Sequence, residues 1–277
     1  MKIKSVNITA QSEFPIQEML CPVVSNRSVN GEYLHLVLDV PAVALAAQAG
    51  QFFHLKCPAS EAGTPYLRRP MSVYRINCEV GQIEFLYKNQ GLGTAGLATL
   101  KRGDILDIFG PLGRGFILDK YRHVLIVARG AGLATMAPLA EQAIHNGAQV
   151  TALLSARSPD LVISKEYLES VGAQTIAVTE TEGTSDVDTV TNLLEEQHIA
   201  QPFDYAATCG SNRLLQMLKK LALSWDINGE VALEQNMACA IGMCYCCVRP
   251  FEVAGQLTYR RVCFEGPVFS LNETPSW

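Results

Sequence analysis

The chain has 277 residues, 22 of them Lys or Arg and 27 Asp or Glu, for a net charge of -5. Apolar residues make up 48% and charged ones 18%, which is enough apolar surface for sizeable cores and too little charge for a disordered chain. No Lys/Arg cluster resembles a nucleic-acid footprint, and the most apolar run, VPAVALAAQAG (40–50), is too short to cross a bilayer.

The first stretch, MKIKSVNITAQSEF (1–14), lacks the apolar centre of a secretory signal, so a cytoplasmic location is expected. That compartment keeps thiols reduced, and the nine cysteines therefore do not imply a disulfide framework. Cys21, Cys57, Cys78 and Cys209 are scattered and read as small buried hydrophobes.

GEYLHLVLDV, QFFHLKCP, MSVYRINC and GQIEFLYKN are short apolar or alternating runs separated by Gly, Pro and Asn. They predict an antiparallel barrel or sandwich, closed by a glycine-rich turn at GPLGRGF (110–116). Within it, Arg69, Pro70, Met71 and Ser72 suit a diphosphate cofactor. A guanidinium pairs with phosphate oxygens, Pro stiffens the chain, and a hydroxyl can bond a flavin ring. A solvated turn would look the same. Gly91, Leu92, Gly93 and Thr94 follow, before a helix start at AGLATL, where backbone amides can face a phosphate. A plain turn capped by Thr94 is the alternative. Together, ahead of an α/β region, the two motifs favour FAD.

The period then changes. HVLIVA (123–128), QVTALLSA, QTIAVTE and DYAATCG read as buried strands. MAPLAEQAIHNGA, YLESVG, VTNLLEEQH and SNRLLQMLKKLAL read as helices, the first ending near Gly147 and the last capped by Ser211. This alternation predicts a parallel sheet with helices on both faces. From about Ser224 the pattern breaks, and FEVAGQLTYRRVCF reads as further strands.

Cys239, Cys244 and Cys247 are spaced C-x4-C-x2-C, and Cys263 completes a set of four. That is the plant-type 2Fe–2S spacing. Small residues at Ala238, Ala240 and Gly242 let the backbone wrap close, with amides toward the sulfurs. Four thiolates also satisfy structural zinc, but zinc ribbons present two C-x2-C knuckles and only one is available here. A redox dithiol is a third reading. Cys246 could replace Cys247 only by breaking the spacing, and it reads as a thiol that is not a ligand.

With RRPMS (68–72), GLGT (91–94), GPLGRGF (110–116), CG (209–210), the cysteine loop and EGPVF (265–269), the chain resembles the ferredoxin–NADP reductase superfamily. Within it, the likeness is to the electron-transfer subunits of two-subunit, NAD-dependent dihydroorotate dehydrogenases. The resemblance implies an FAD-binding β-barrel (1–118), an α/β domain for pyridine nucleotide (119–224) and a 2Fe–2S module (225–277). It puts Arg69, Pro70, Met71, Ser72, Leu86, Tyr87, Lys88, Gly93 and Thr94 on FAD. It puts Cys239, Cys244, Cys247 and Cys263 on the cluster.

One stretch departs from the family pattern. Relatives carry a compact glycine run after the first strand of the nucleotide domain, with Pro soon after. Here ARGAGLATMAP (128–138) keeps Gly130 and Gly132, but Pro138 stands further off and Arg129 intrudes. A strand-to-helix turn needing glycines only for packing is the alternative. Cys209 and Gly210, at a strand's carboxyl end, favour NAD(H). Arg157 and Ser158 could meet a 2′-phosphate or form an ordinary loop.

The five histidines, His35, His54, His123, His145 and His198, occur singly, and no general acid, base or nucleophile is expected. FAD links the two-electron hydride to the one-electron cluster, which makes the chain a wire. A flavin-containing catalytic partner is expected at its end, with dihydroorotate dehydrogenase the best fit. Another flavoprotein reductase, or a stand-alone reductase, would suit the motifs as well.

Overall fold

The computed structural model describes residues 16–61, 63–118 and 121–276. MKIKSVNITAQSEF, read above for the absence of a signal, lies outside the described residues.

The first sheet contains β1 (Gln17–Ser28), β2 (Tyr33–Asp39), β3 (Phe52–Leu55), β4 (Arg69–Ser72), β5 (Arg75–Asn77), β6 (Gln82–Lys88) and β7 (Ile105–Leu112), with short helices α1 (Ala42–Leu45) and α2 (Leu92–Ala98). Its order is β4-β3-β7-β1-β2-β6-β5, and every pairing is antiparallel. β4 and β5 stand at opposite ends, yet only Val73 and Tyr74 separate them. The Val73 amide donates to Gln51 at 3.1 Å, and the Tyr74 amide donates to Glu84 at 2.9 Å. Adjacent residues thus bond to the two ends of the sheet, so the sheet is rolled into the expected barrel. Strand alternation fills it: Met19, Cys21 and Val23 point in with Leu36, Phe53, Phe85 and Ile108, while Leu20 points out.

Two strands of this sheet escaped the sequence reading. β1 contains Pro22, which demotes a run on sequence grounds. In the fold, Pro22 is where β1 stops pairing with β7, and from Val23 it pairs with β2. β7 runs on through Pro111 and Leu112, so the expected turn at 110–116 begins as strand.

The second sheet begins with β8 (His123–Arg129). It continues through α3 (Gly132–His145), β9 (Gln149–Ala156), α4 (Lys165–Ser170), β10 (Gln174–Thr179), α5 (Val187–Ala200), β11 (Tyr205–Cys209), α6 (Asn212–Ser224) and β12 (Asn228–Ala232). A hairpin, β13 (Val248–Val253) and β14 (Gln256–Arg261), leads to a single turn, α7 (Val262–Glu265), and then β15 (Val268–Ser270). The order is β10-β9-β8-β11-β12-β15, parallel except for β15, which returns antiparallel to β12. The segment carrying the cysteines therefore leaves one strand and comes back beside it, so both its ends are anchored. Cys263, read as strand, lies in the helical turn α7.

One correction concerns a helix. α3 starts at Gly132, four residues before the expected Met136, and holds Pro138 inside it. Pro138 has no N–H, so it cannot bond to Ala134. Ser211 caps α6 as expected, accepting from the Leu214 amide at 3.4 Å. The barrel and the parallel sheet share one core: Tyr33, Tyr74 and Leu86 pack with Leu133, Ala134 and Ala137 of α3. β6 is therefore buried on both faces, with Ile83, Phe85 and Tyr87 inward and Leu86 toward α3.

Candidate functional site

A cavity of ≈ 620 Å³ lies where barrel, α3 and the approach to the cysteine loop meet. Arg69, Pro70, Met71 and Ser72 from β4 line it, with Leu86, Tyr87 and Lys88 from the end of β6 and Gly93 and Thr94 from α2. All nine residues expected to touch FAD are thus brought to one wall.

Arg68 and Arg69 are adjacent but serve different ends. Arg68 is saturated by Asp107, at 2.9 and 2.8 Å, and by Glu18. Arg69 meets only the backbone carbonyls of Leu67 and Arg68, and it has no carboxylate partner among the described residues. Its charge faces the cavity uncompensated. The side chain lies across Gly93, where a Cβ would stand 2.7 Å from Arg69 Cγ and 2.8 Å from Nε. Gly93 is glycine because the arginine occupies that space. Thr94 spends its hydroxyl on its own turn, accepting from the Gln90 and Gly91 amides at 3.0 Å each. The Leu92 and Gly93 amides, in the first turn of α2, have no intrahelical acceptor. A cationic group, helix-start amides and the Ser72 hydroxyl, which has no partner among the described residues, fit a cofactor with phosphates and a polar ring.

Lys88 Nζ pairs with Glu32 at 2.6 Å, and the other Glu32 oxygen takes Arg157 at 2.6 Å. These bonds, Lys88 first, hold the Glu32 carboxyl below its ordinary range. Arg157 is therefore tied to the barrel rather than free in a loop. Tyr87 is anchored by donating to Asn26 at 3.1 Å, and burial pushes its hydroxyl up to about 12.

The sequence reading missed the opposite wall. Thr135, Leu233, Glu234, Gln235, Asn236, Met237 and Pro267 also line the cavity. A polar triplet, EQN (234–236), following the apolar run 231–233 was the available signal. Glu234 opens onto the cavity yet is ringed by protein atoms, and this desolvation raises its carboxyl. It has no hydrogen-bond or ion-pair partner among the described residues.

The expected nucleotide residues gather elsewhere. Ala128 pairs with Cys209 at the carboxyl ends of β8 and β11, where the strand order reverses. A Cβ on Gly132 would stand 2.5 Å from the Cys209 carbonyl, and one on Gly210 would stand 2.3 Å from the Arg129 carbonyl. The glycine stretch and the Cys-Gly pair thus pack backbone against backbone. Gly130, Gly132, Cys209 and Gly210 are outside the cavity lining, although Ala131 belongs to it. Burial pushes the Cys209 thiol far up, and the Thr135 side chain beside it, which also lines the cavity, works the other way. Arg129 reaches Ser155 at 3.1 Å and Glu180 at 2.8 Å.

The cysteine loop turns through three left-handed residues, Ala240 (φ 59), Gly242 (φ 80) and Tyr245 (φ 59). The Met243 and Cys244 amides donate to Cys239 Sγ at 3.3 and 3.4 Å, and the Cys263 amide donates to Cys247 Sγ at 3.4 Å. The thiols neighbour one another in pairs, Cys239 beside Cys244 and Cys247 beside Cys263. Among the described residues no three such groups form a preformed cage. Desolvation opposes ionisation of Cys239, but the Ile241, Cys244 and Met243 amides and the Cys244 thiol outweigh it and pull the thiol down to about 7. Cys247 and Cys263 are buried, Cys239 is half-buried and Cys244 is exposed. Cys246 turns away, its thiol directed at the Asn236 carbonyl at 3.8 Å. Four thiols on one loop and one facing turn, with amides aimed at sulfur, fit an iron–sulfur group by donor chemistry.

Residues 21–117 match the oxidoreductase FAD-binding domain, and residues 234–274 match the iron-sulfur cluster binding domain of dihydroorotate dehydrogenase B. A solved chain of the NADH-dependent reduced ferredoxin–NADP oxidoreductase, described for flavin-based electron bifurcation, is 27% identical with a TM-score of 0.77 and covers 92% of this chain and 89% of its own. The ferredoxin reductase of carbazole 1,9a-dioxygenase (20% identity, TM-score 0.61, 78% of this chain and 68% of its own) shares the fold. The electron transfer subunit of dihydroorotate dehydrogenase B (NAD(+)) from Bacillus cereus is 32% identical over 257 residues, covering 91% of this chain and 96% of its own. That from Desulforamulus reducens is 31% identical over 244 residues, covering 88% and 90%. With both sheets, the cavity and the thiol loop matched along nearly its whole length, the chain belongs to the family of dihydroorotate dehydrogenase B (NAD(+)) electron transfer subunits.

Proposed function

We propose that this chain carries electrons between NAD(H), FAD and a 2Fe–2S cluster, to or from the flavin-containing catalytic subunit of a dihydroorotate dehydrogenase. One observation carries the reading. The same cavity is lined by the FAD-type residues of the barrel and by Met237 and Pro267, which flank the cysteine loop. A cofactor held there lies against both segments that bear the thiols, and electron transfer needs such short distances.

FAD would supply the exchange between paired and single electrons. Arg69, with the Leu92 and Gly93 amides, would hold its phosphates. Ser72 and Lys88 would bond its polar parts, and Met71 and Leu86 would shield it from water. Cys239, Cys244, Cys247 and Cys263 would ligate the cluster, with Cys246 outside the set. Gly130, Gly132, Cys209 and Gly210 would close the floor beneath a nicotinamide that enters past Ala131 and Thr135. In this reading residues 1–118, 119–224 and 225–277 are the flavin, nucleotide and cluster parts. The chain works in the cytoplasm, within a heterotetramer serving pyrimidine biosynthesis. Ile241, Met243, Tyr245 and Phe264 are exposed around the thiol loop, which suits a partner surface there.

Anaerobic purification tests the reading. Flavin and iron–sulfur absorbance, bleaching by NADH and co-purification of a flavin-containing dihydroorotate dehydrogenase are expected. A chain that stays oxidised with NADH would sink the nucleotide part. A second reading, service to a different flavoprotein, draws on the likeness to the NADH-dependent ferredoxin–NADP oxidoreductase. Capture of another flavoenzyme would decide for it.

A further inference from the structure

We propose that Arg261 and Glu265 form a charge-matched clamp that sets the reduction potential of the cluster, an inference that rests on the four-thiolate reading above. Arg261 ends β14, and Glu265 closes the turn that holds Cys263. The carboxylate takes the guanidinium at both oxygens, Nε to Oε2 at 3.0 Å and Nη2 to Oε1 at 3.1 Å, and accepts the Arg261 amide at 2.6 Å. The remaining nitrogen, Nη1, donates to the Gly242 carbonyl at 3.1 Å, between Cys239 and Cys244. The guanidinium carbon lies 5.3 Å from the Tyr245 ring centre and 4.8 Å from that of Phe264. One side chain therefore ties the loop bearing three thiols to the turn bearing the fourth. Two aromatic rings and a bidentate carboxylate fix it, which a solvated surface charge would lack.

An iron–sulfur cluster gains one negative charge on reduction, so fixed charges nearby shift its potential by their sign. Here a positive and a negative group are matched at hydrogen-bond distance. Removing either one unmasks the other. An unmasked carboxylate disfavours the incoming electron, and an unmasked guanidinium favours it. A purely mechanical staple would behave differently, because loss of either partner would loosen the loop in the same sense.

The test uses the full chain with FAD, reconstituted with iron and sulfide without oxygen, and an EPR-monitored redox titration of the cluster. Arg261→Gln is expected to lower the midpoint and Glu265→Gln to raise it. Each shift should be about tenfold in the reduced-to-oxidised ratio at fixed potential, or about 59 mV for one electron. The double variant should return close to the parent, and Arg261→Lys, which keeps the charge, should stay near it. If Arg261→Gln does not retain the cluster, Glu265→Gln still reads the sign, and Arg261→Lys shows whether the charge alone holds the potential. Shifts of both partners in one direction, or an unmoved Glu265→Gln, overturn the clamp and leave the cluster reading standing. A parent chain with no cluster signal overturns both.

Discussion

The amide of Arg114 donates to the carbonyl of Gly266 at 2.6 Å. This bond joins the exit of the barrel to the turn just after Cys263. Nearby, the Phe116 amide donates to Ala49 at 2.9 Å, and the Ile117 amide donates to Glu230 at 3.2 Å. The connection between the sheets is therefore pinned to barrel, parallel sheet and cysteine segment at once, which holds the cavity walls in register.

Arg114→Pro removes that donor and should lower stability by about 1–3 kcal/mol, the cost of leaving a carbonyl unpaired. Arg114→Ala keeps the amide and removes only an exposed side chain, so it should unfold with the parent. Thermal or urea unfolding of the two variants separates the outcomes. Equal stability would mean that the bond carries no weight.

The two neighbouring arginines should separate binding from folding. Arg69→Gln removes the uncompensated charge and should weaken FAD retention by about 1.5–3 kcal/mol, roughly ten- to a hundredfold, with unfolding of the apoprotein little changed. Arg68→Gln strips Asp107 of its bidentate partner and should instead lower apoprotein stability by about 1–3 kcal/mol. Flavin content after gel filtration and apoprotein melting are the measurements.

Single Cys→Ser changes at 239, 244, 247 and 263 should each abolish or deplete acid-labile sulfide and the iron–sulfur absorbance. Cys246→Ser should keep both, because its thiol faces Asn236 rather than the other four. Retention of a full cluster without Cys247, and its loss without Cys246, would exchange the two assignments.

His54 should make the barrel sensitive to acid. It is 1% exposed, and its Nε2 has no hydrogen-bond partner among the described residues. Burial, aided by Arg68 and Arg69, brings its imidazole down to about 4. An unfolded histidine takes up its proton near 6.5. Between those values the unfolded chain binds more protons, so stability falls as pH falls, by about 3 kcal/mol across the window. His54→Leu should flatten this limb. Urea midpoints at pH 7 and pH 5 for both proteins would show it, and equal pH dependence would refute it.

Much of the molecule was legible in local patterns. The change from two-residue to helical periodicity separated barrel from parallel sheet, and the cysteine spacing pointed to its metal chemistry without a fold. Other features were not local. Nothing in RRP says which arginine Asp107 will consume, because Asp107 comes from β7 and its reach depends on how β3 pairs with β4 and β7. Nothing in EQN says that it faces a flavin-type cavity, because that wall exists only once β15 returns beside β12. Pro22 marks where β1 changes partner from β7 to β2, a change that only the assembled barrel shows. Hydrophobic period, caps and ligand spacing are properties of neighbouring residues, and the chain declares them directly. Charge pairing and cavity walls arise from side chains far apart in sequence, and only strand register and sheet closure bring them within a few ångströms.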